Sequence, residues 1–123
     1  MKTNLSEHFT LEEFQSSYMA TRYGMKNSAS RFAIDNMKQL CIKVLEPARA
    51  ALKCPIYLNS GYRSQKLNAI VGGVDNSLHC YGRAADIRPS RPELLPDLFE
   101  ILSKLPHTEL ILYKEKQFIH VAL

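Results

Sequence analysis

The sequence predicts an α+β fold, helices packed on a small, mostly antiparallel sheet, and three observations predict it. A stripe of apolar residues between Ser30 and Lys53 repeats at three- and four-residue steps, the period of a helix with one buried face. Short runs rich in β-branched and aromatic residues, bounded by Gly, Pro, Asn and Ser, read as strands. Helices come first, then short strands mixed with helices, and the last two strands form a hairpin. At 123 residues, residues 1–123 are expected to form one domain, long enough for a real core but not for two.

The elements follow in order. Phe9-Thr-Leu-Glu-Glu-Phe14 opens the first helix: Thr10 is its N-cap, Glu13 completes a capping box, and Phe9 and Phe14 occupy the positions of a hydrophobic staple. This helix is expected to run to about Met19, with His8 an exposed polar residue before it. A loop over Tyr23–Ser28 leads into the long helix from Ser30 to Lys53. Its stripe is Met37, Leu40, Cys41, Val44, Leu45, Ala48 and Leu52, and Pro47 should kink it or split it in two. Cys54–Asn59 is a short strand, broken at Ser60-Gly-Tyr-Arg-Ser64. Gln65 to Ile70 is a short helix ending in the two-glycine loop Val71–Asn76. Ala84 to Arg88 is a buried strand, and Pro92 starts a helix whose apolar face is Leu94, Leu95, Leu98, Phe99 and Leu102. Glu109–Tyr113 and Phe118–Leu123 pair around Lys114-Glu-Lys116.

Composition excludes several classes. Apolar residues make up 46% and charged residues 23%, which argues against disorder. The net charge of +4 is mildly basic, but the charges form no block, so nucleic acid is not an expected partner. No segment approaches the length of a membrane span. Cys41, Cys54 and Cys80 are odd in number and lack C-x-x-C spacing, so a reducing compartment is the simpler assumption than a disulfide framework. The opening Met1–His8 has no apolar run, so no signal peptide is expected and synthesis is cytoplasmic. Any role outside the cytoplasm then needs another route out or a leader trimmed from the chain. A monomer is assumed.

The chemistry centres on Ser77-Leu-His-Cys-Tyr-Gly-Arg-Ala-Ala-Asp86. His79 and Asp86 stand seven positions apart across Gly82, too far for two ligands on one helical face. The spacing suits a loop that delivers His79, turns at Gly82, and enters a strand carrying Asp86. His120 in Phe118-Ile-His-Val121 is the third member. Two imidazoles and a carboxylate with room for a water make the open coordination set of a catalytic zinc. Each histidine alone is more often structural; their company raises the odds, because an imidazole in an apolar strand needs a partner. Asp86 competes as an ion-pair partner of Arg83 or Arg88, yet its Ala84, Ala85 and Ile87 neighbours argue burial and a need for a cation. Cys80 adjoins His79 and is read as packing. Arg63, in a loop at a strand end, can bind a carboxylate or an oxyanion, against the alternative of a surface arginine. Ser77 hydrogen-bonds a ligand or caps a turn.

Ser60-Gly-Tyr-Arg-Ser64, Leu67-Asn68, Val71-Gly-Gly73, Ser77-x-His79-x-x-Gly82-x-Ala84-x-Asp86 and Phe118-Ile-His-Val121 resemble the bacterial and phage zinc peptidases that cut peptidoglycan stems. These are the D-alanyl-D-alanine carboxypeptidases and L-alanyl-D-glutamate endolysins of Hedgehog-like fold. Leu5-Ser-Glu-His-Phe-Thr10 and Val44-Leu-Glu-Pro-Ala-Arg49 resemble their small single-domain members, so the likeness runs along nearly the whole chain. It implies one zinc ion per chain held by His79, Asp86 and His120, a peptidoglycan peptide as substrate, Arg63 on the substrate's carboxylate or carbonyl, and Ser77 lining the site. With no signal peptide expected, a phage- or prophage-encoded lysin released through a holin suits the chain, as does a cytoplasmic step in peptide recycling. The chain departs from the family at one position. An acidic general base usually stands three residues before the last histidine, and here that residue is Gln117, which cannot take a proton. Glu115, two residues earlier at the hairpin turn, is the substitute candidate, weighed against the preferred reading of an exposed turn glutamate. The alternative function is a catalytically impaired zinc-containing module that binds cell-wall peptide or a protein partner.

Overall fold

The capping box at Thr10 forms as expected, with Glu13 N–H donating to Thr10 Oγ1 and Thr10 N–H to Glu13 Oε1, in a computed structural model that describes residues 2–123. The helix it opens, α1 (Leu11–Gln15), stops earlier than the expected Met19. Ser16 adopts an extended backbone and Ser17 caps a new helix, α2 (Tyr18–Arg22), by accepting from Ala20 N–H. Two consecutive serines compete for the backbone and favour a cap over continuation. In the following loop, buried Asn27 donates to the Gln15 and Tyr62 carbonyls and accepts from Ser64 N–H, which pins the segment carrying Arg63.

The long helical run is continuous rather than split. It comprises α3 (Arg31–Leu40), a π-helical segment Cys41–Leu45, and α4 (Glu46–Leu52), closed by Lys53 in the left-handed region. Pro47 has no N–H to offer the carbonyl four residues back, and the widened turn just before it accommodates that loss within the run. Met37, Leu40, Cys41, Val44, Leu45 and Ala48 are fully buried, with Leu52 partly so. Burial pushes the Cys41 thiol up to about 12, so it behaves as a small hydrophobe.

Four strands form one antiparallel sheet in the order β1-β2-β4-β3: β1 (Ile56–Ser60), β2 (Ala84–Pro89), β3 (Glu109–Tyr113) and β4 (Phe118–Ala122). Between β1 and β2 lie α5 (Gln65–Ile70) and a 3₁₀ turn, Leu78–Tyr81. After β2, Pro92 opens a short 3₁₀ turn, Pro92–Leu94, rather than the helix itself, and α6 (Leu95–Ser103) follows.

Strand side chains alternate between faces. Ala85 and Ile87 of β2, with Ile119 and Val121 of β4, turn toward the helices and join Leu98, Leu102 and the α3–α4 stripe in the core. Each large side chain buried there contributes about 1.5–3 kcal/mol. The residues between them, Asp86 and His120, are thereby assigned to the opposite face of the sheet.

Candidate metal centre

Asp86 and His120 stand directly opposite one another in the β2–β4 register. The Nδ1 of His120 lies 2.9 Å from Asp86 Oδ1. His79 reaches the same oxygen from outside the sheet, its Nε2 at 3.3 Å. The turn that delivers it is capped by Ser77, whose Oγ accepts from His79 N–H, and closed by Gly82 at φ 72°. A Cβ at Gly82 would collide with the Ala33 carbonyl, so glycine is required both for the backbone angle and for the approach to α3. An irregularity in β1 between Leu58 and Ser60 brings Ser60 opposite Asp86 and carries Gly61 past His79. His79 donates Nδ1–H to the Gly61 carbonyl at 2.7 Å, which leaves the lone pair of Nε2 facing Asp86.

One ligand atom from each of His79, Asp86 and His120 thus lies within 4.8 Å of the others. His79 is 2% exposed and Asp86 9% exposed, so water screens their charges little. Burial alone would raise the Asp86 carboxyl, but the His120 and His79 imidazoles beside it, in their protonated forms, bring it down to about 2. His120 is moved upward, first by its bond to Asp86, against burial, with Glu109 adding to the rise.

Arg63 completes the wall. Its Nη2 lies 3.7 Å from Asp86 Oδ2, while Nε donates to Ser60 Oγ at 3.3 Å and Nη1 to Asn68 Oδ1 at 3.0 Å. Asn68 is itself buried and donates to the Val74 carbonyl. Arg63 and Asp86 face a cleft of about 550 Å³ that also runs past Tyr62, Tyr113, Lys116 and Phe118. Tyr113 and Phe118, paired across the hairpin, stack with ring centroids 4.6 Å apart. A second depression of about 390 Å³ holds Ser77, Glu109, Ile111 and His120, and Tyr113 borders both.

The sequence model of the Peptidase M15 family matches residues 7–122. The chain belongs to the Peptidase M15 family. The chain is also similar to the zinc D-Ala-D-Ala carboxypeptidase of Streptomyces albus G, at 54% identity over 33 residues. That stretch is 27% of this chain and 13% of the relative, so the match spans a small part of that protein.

For an M15 chain the question is whether these residues fit zinc. Two imidazole nitrogens and one carboxylate oxygen are its usual donors, and three protein ligands leave a position open. The fit is also electrostatic. With Nδ1–H of His79 committed to Gly61, an imidazole lone pair and a carboxylate oxygen face each other in a buried site, which calls for a cation between them. The residues fit.

The two remaining sequence candidates lie elsewhere. Gln117 sits in the hairpin turn at φ 60°, and its amide donates to the Lys114 carbonyl at 2.6 Å. Glu115 is exposed in the same turn. Neither side chain hydrogen-bonds any of the three ligand residues. The carboxylate that does so, besides Asp86, is Glu109, whose Oε1 lies 2.8 Å from His120 Nε2. Sequence reasoning missed it. The signal was its place at the start of an alternating strand, but relating that strand to His120 needs the hairpin register.

Proposed function

We propose that this chain is a zinc-dependent peptidase acting on peptidoglycan stem peptides, as a carboxypeptidase or an endopeptidase, with one zinc ion per chain. The observation that carries the reading is the convergence of His79, Asp86 and His120 on one point beside the cleft. Membership of the M15 family and the likeness to a zinc D-Ala-D-Ala carboxypeptidase support the substrate class.

His79, Asp86 and His120 are the residues that would hold the ion. Zinc there supplies a Lewis acid that polarises a carbonyl and acidifies water. Arg63 has two of its nitrogens bonded to Ser60 and Asn68, so its guanidinium is held in one orientation on the cleft wall. It receives a substrate carboxylate or carbonyl there without paying the full entropy of ordering a free arginine. Ser77 acts through its cap, fixing the turn that carries His79. Stacked Tyr113 and Phe118 give the cleft an apolar wall for the substrate's aliphatic parts.

The test pairs metal content with hydrolysis of a panel of stem peptides. One zinc per chain with cleavage of a member of the panel is the expected result; a zinc-free protein sinks the reading. A second reading is a zinc-containing module that binds cell-wall peptide without cutting it. It is favoured by Gln117, which is not a carboxylate and whose amide is engaged within the turn. Zinc without cleavage, and hydrolysis gained in Gln117→Glu, would decide for it.

A further inference from the structure

We propose that Glu109 is a positioning residue for the metal centre: its carboxylate accepts Nε2–H of His120 and so holds that imidazole with Nδ1 presented to the metal. This inference rests on the zinc reading above.

Both nitrogens of the His120 ring are engaged. Nδ1 lies 2.9 Å from Asp86 Oδ1, and Nε2 lies 2.8 Å from Glu109 Oε1. One ring nitrogen therefore faces the ligand cluster and the other faces Glu109. A neutral imidazole carries one N–H, and the neighbour that accepts it decides which nitrogen keeps a free lone pair. His79 has this assignment made by the Gly61 carbonyl; His120 has it made by Glu109. The two histidines are thus oriented by different kinds of acceptor, one backbone and one side chain. Because Glu109 touches the ring nitrogen turned away from Asp86, it acts through His120 and not on substrate.

The hairpin register makes the contact. Ile111 pairs with His120, and Glu109, two residues earlier on the same strand face, is its diagonal neighbour. The stacked Tyr113–Phe118 pair ties the turn end of the same ladder. The Glu109 side chain is 48% exposed, so its bond to His120 adds little to fold stability. Its effect is on metal affinity, where loss of such an outer partner costs roughly 10–100-fold.

The experiment measures zinc affinity by competition with a chromogenic chelator in the full chain, in Glu109→Ala and in Glu109→Gln. The alanine variant is expected to bind about 10–100-fold more weakly. The glutamine variant, whose amide oxygen still accepts Nε2–H, is expected to stay close to the parent. Nitrogen NMR of the zinc-loaded parent should show His120 protonated at Nε2, a readout that does not depend on the alanine variant folding. An alanine variant that binds as tightly as the parent overturns the inference. So does a glutamine variant as weak as alanine, or a zinc-loaded parent protonated at Nδ1 of His120. In each of these cases the parent still binds zinc and the zinc reading survives. A parent that binds no zinc overturns that reading and this role together.

Discussion

Two histidine–carboxylate clusters can be compared in this chain. At the candidate metal centre His120 Nδ1 lies 2.9 Å from Asp86. Near the N-terminus His8 Nδ1 lies 2.7 Å from Glu46 Oε1. By that distance alone they are equivalent. They differ in what else surrounds the carboxylate. Glu46 also accepts at its other oxygen, Oε2, from Ser6 Oγ at 2.6 Å and from His8 N–H at 2.7 Å, so both oxygens have protein partners. Asp86 instead meets a second imidazole whose only N–H is committed to Gly61. The N-terminal cluster is a closed clamp between the first residues and α4. In the other, two imidazole nitrogens converge on one oxygen of Asp86, while Arg63 lies 3.7 Å from the second oxygen. The difference teaches that a candidate metal centre is marked by several imidazole nitrogens converging on one carboxylate oxygen, not by a single histidine near an acid.

The largest break in the comparison should come from His120→Ala against His8→Ala. The first removes a proposed ligand, so it should lose stoichiometric zinc, with an affinity loss beyond the roughly 10–100-fold cost of an outer partner, and hydrolysis should go with it. The second should keep both, as metal analysis and the stem-peptide assay will show. Next comes Gly82→Ala, which puts a Cβ against the Ala33 carbonyl at a left-handed φ. We expect a destabilisation of roughly 3 kcal/mol in urea unfolding of the metal-free protein, from strain and overpacking together. Gly24, also left-handed but with open space around it, should tolerate alanine better in the same measurement.

A smaller effect is expected at the clamp. Glu46→Ala leaves the Ser6 hydroxyl and the His8 amide without their acceptor, at a cost of about 1 kcal/mol, while zinc affinity stays unchanged. The smallest effect is in pH dependence. Burial alone would raise the Glu46 carboxyl, but its bonds to Ser6 and His8 hold it below the ordinary range. Between its folded and unfolded values the unfolded chain binds more protons, so stability rises with pH there. The clamp's contribution is therefore present above a pH of about 4.3 and is lost as the pH falls through the lower folded value. Glu46→Gln should flatten that part of the acid unfolding curve; an unchanged curve would remove the clamp from the account.

Much of the fold was legible because its signals are local. The capping box at Thr10, the stripe from Met37 to Ala48, and the β runs around Asp86 and His120 each depend on residues a few positions apart. The misjudged boundaries have local causes too: Ser17 was a cap hidden inside an expected helix, and a π segment absorbed Pro47. The place of two of the proposed ligands, Asp86 and His120, was legible, since an acid and an imidazole between buried apolar neighbours must share the face opposite the core. The Gly61 carbonyl and the Glu109 carboxylate were not, because neither belongs to the sequence neighbourhood of the histidine it meets.

By itself, then, the sequence determined which residue types are candidate ligands and the strand faces carrying two of them, because alternation is a property of the chain within one strand. Only the tertiary structure decided that Asp86 pairs with His120, that Glu109 lies diagonal to it, and that Gln117 is held in a turn. Strand pairing is a non-local choice: a one-residue slip reverses every facing side chain, and the register is held by core contacts made across the whole sheet.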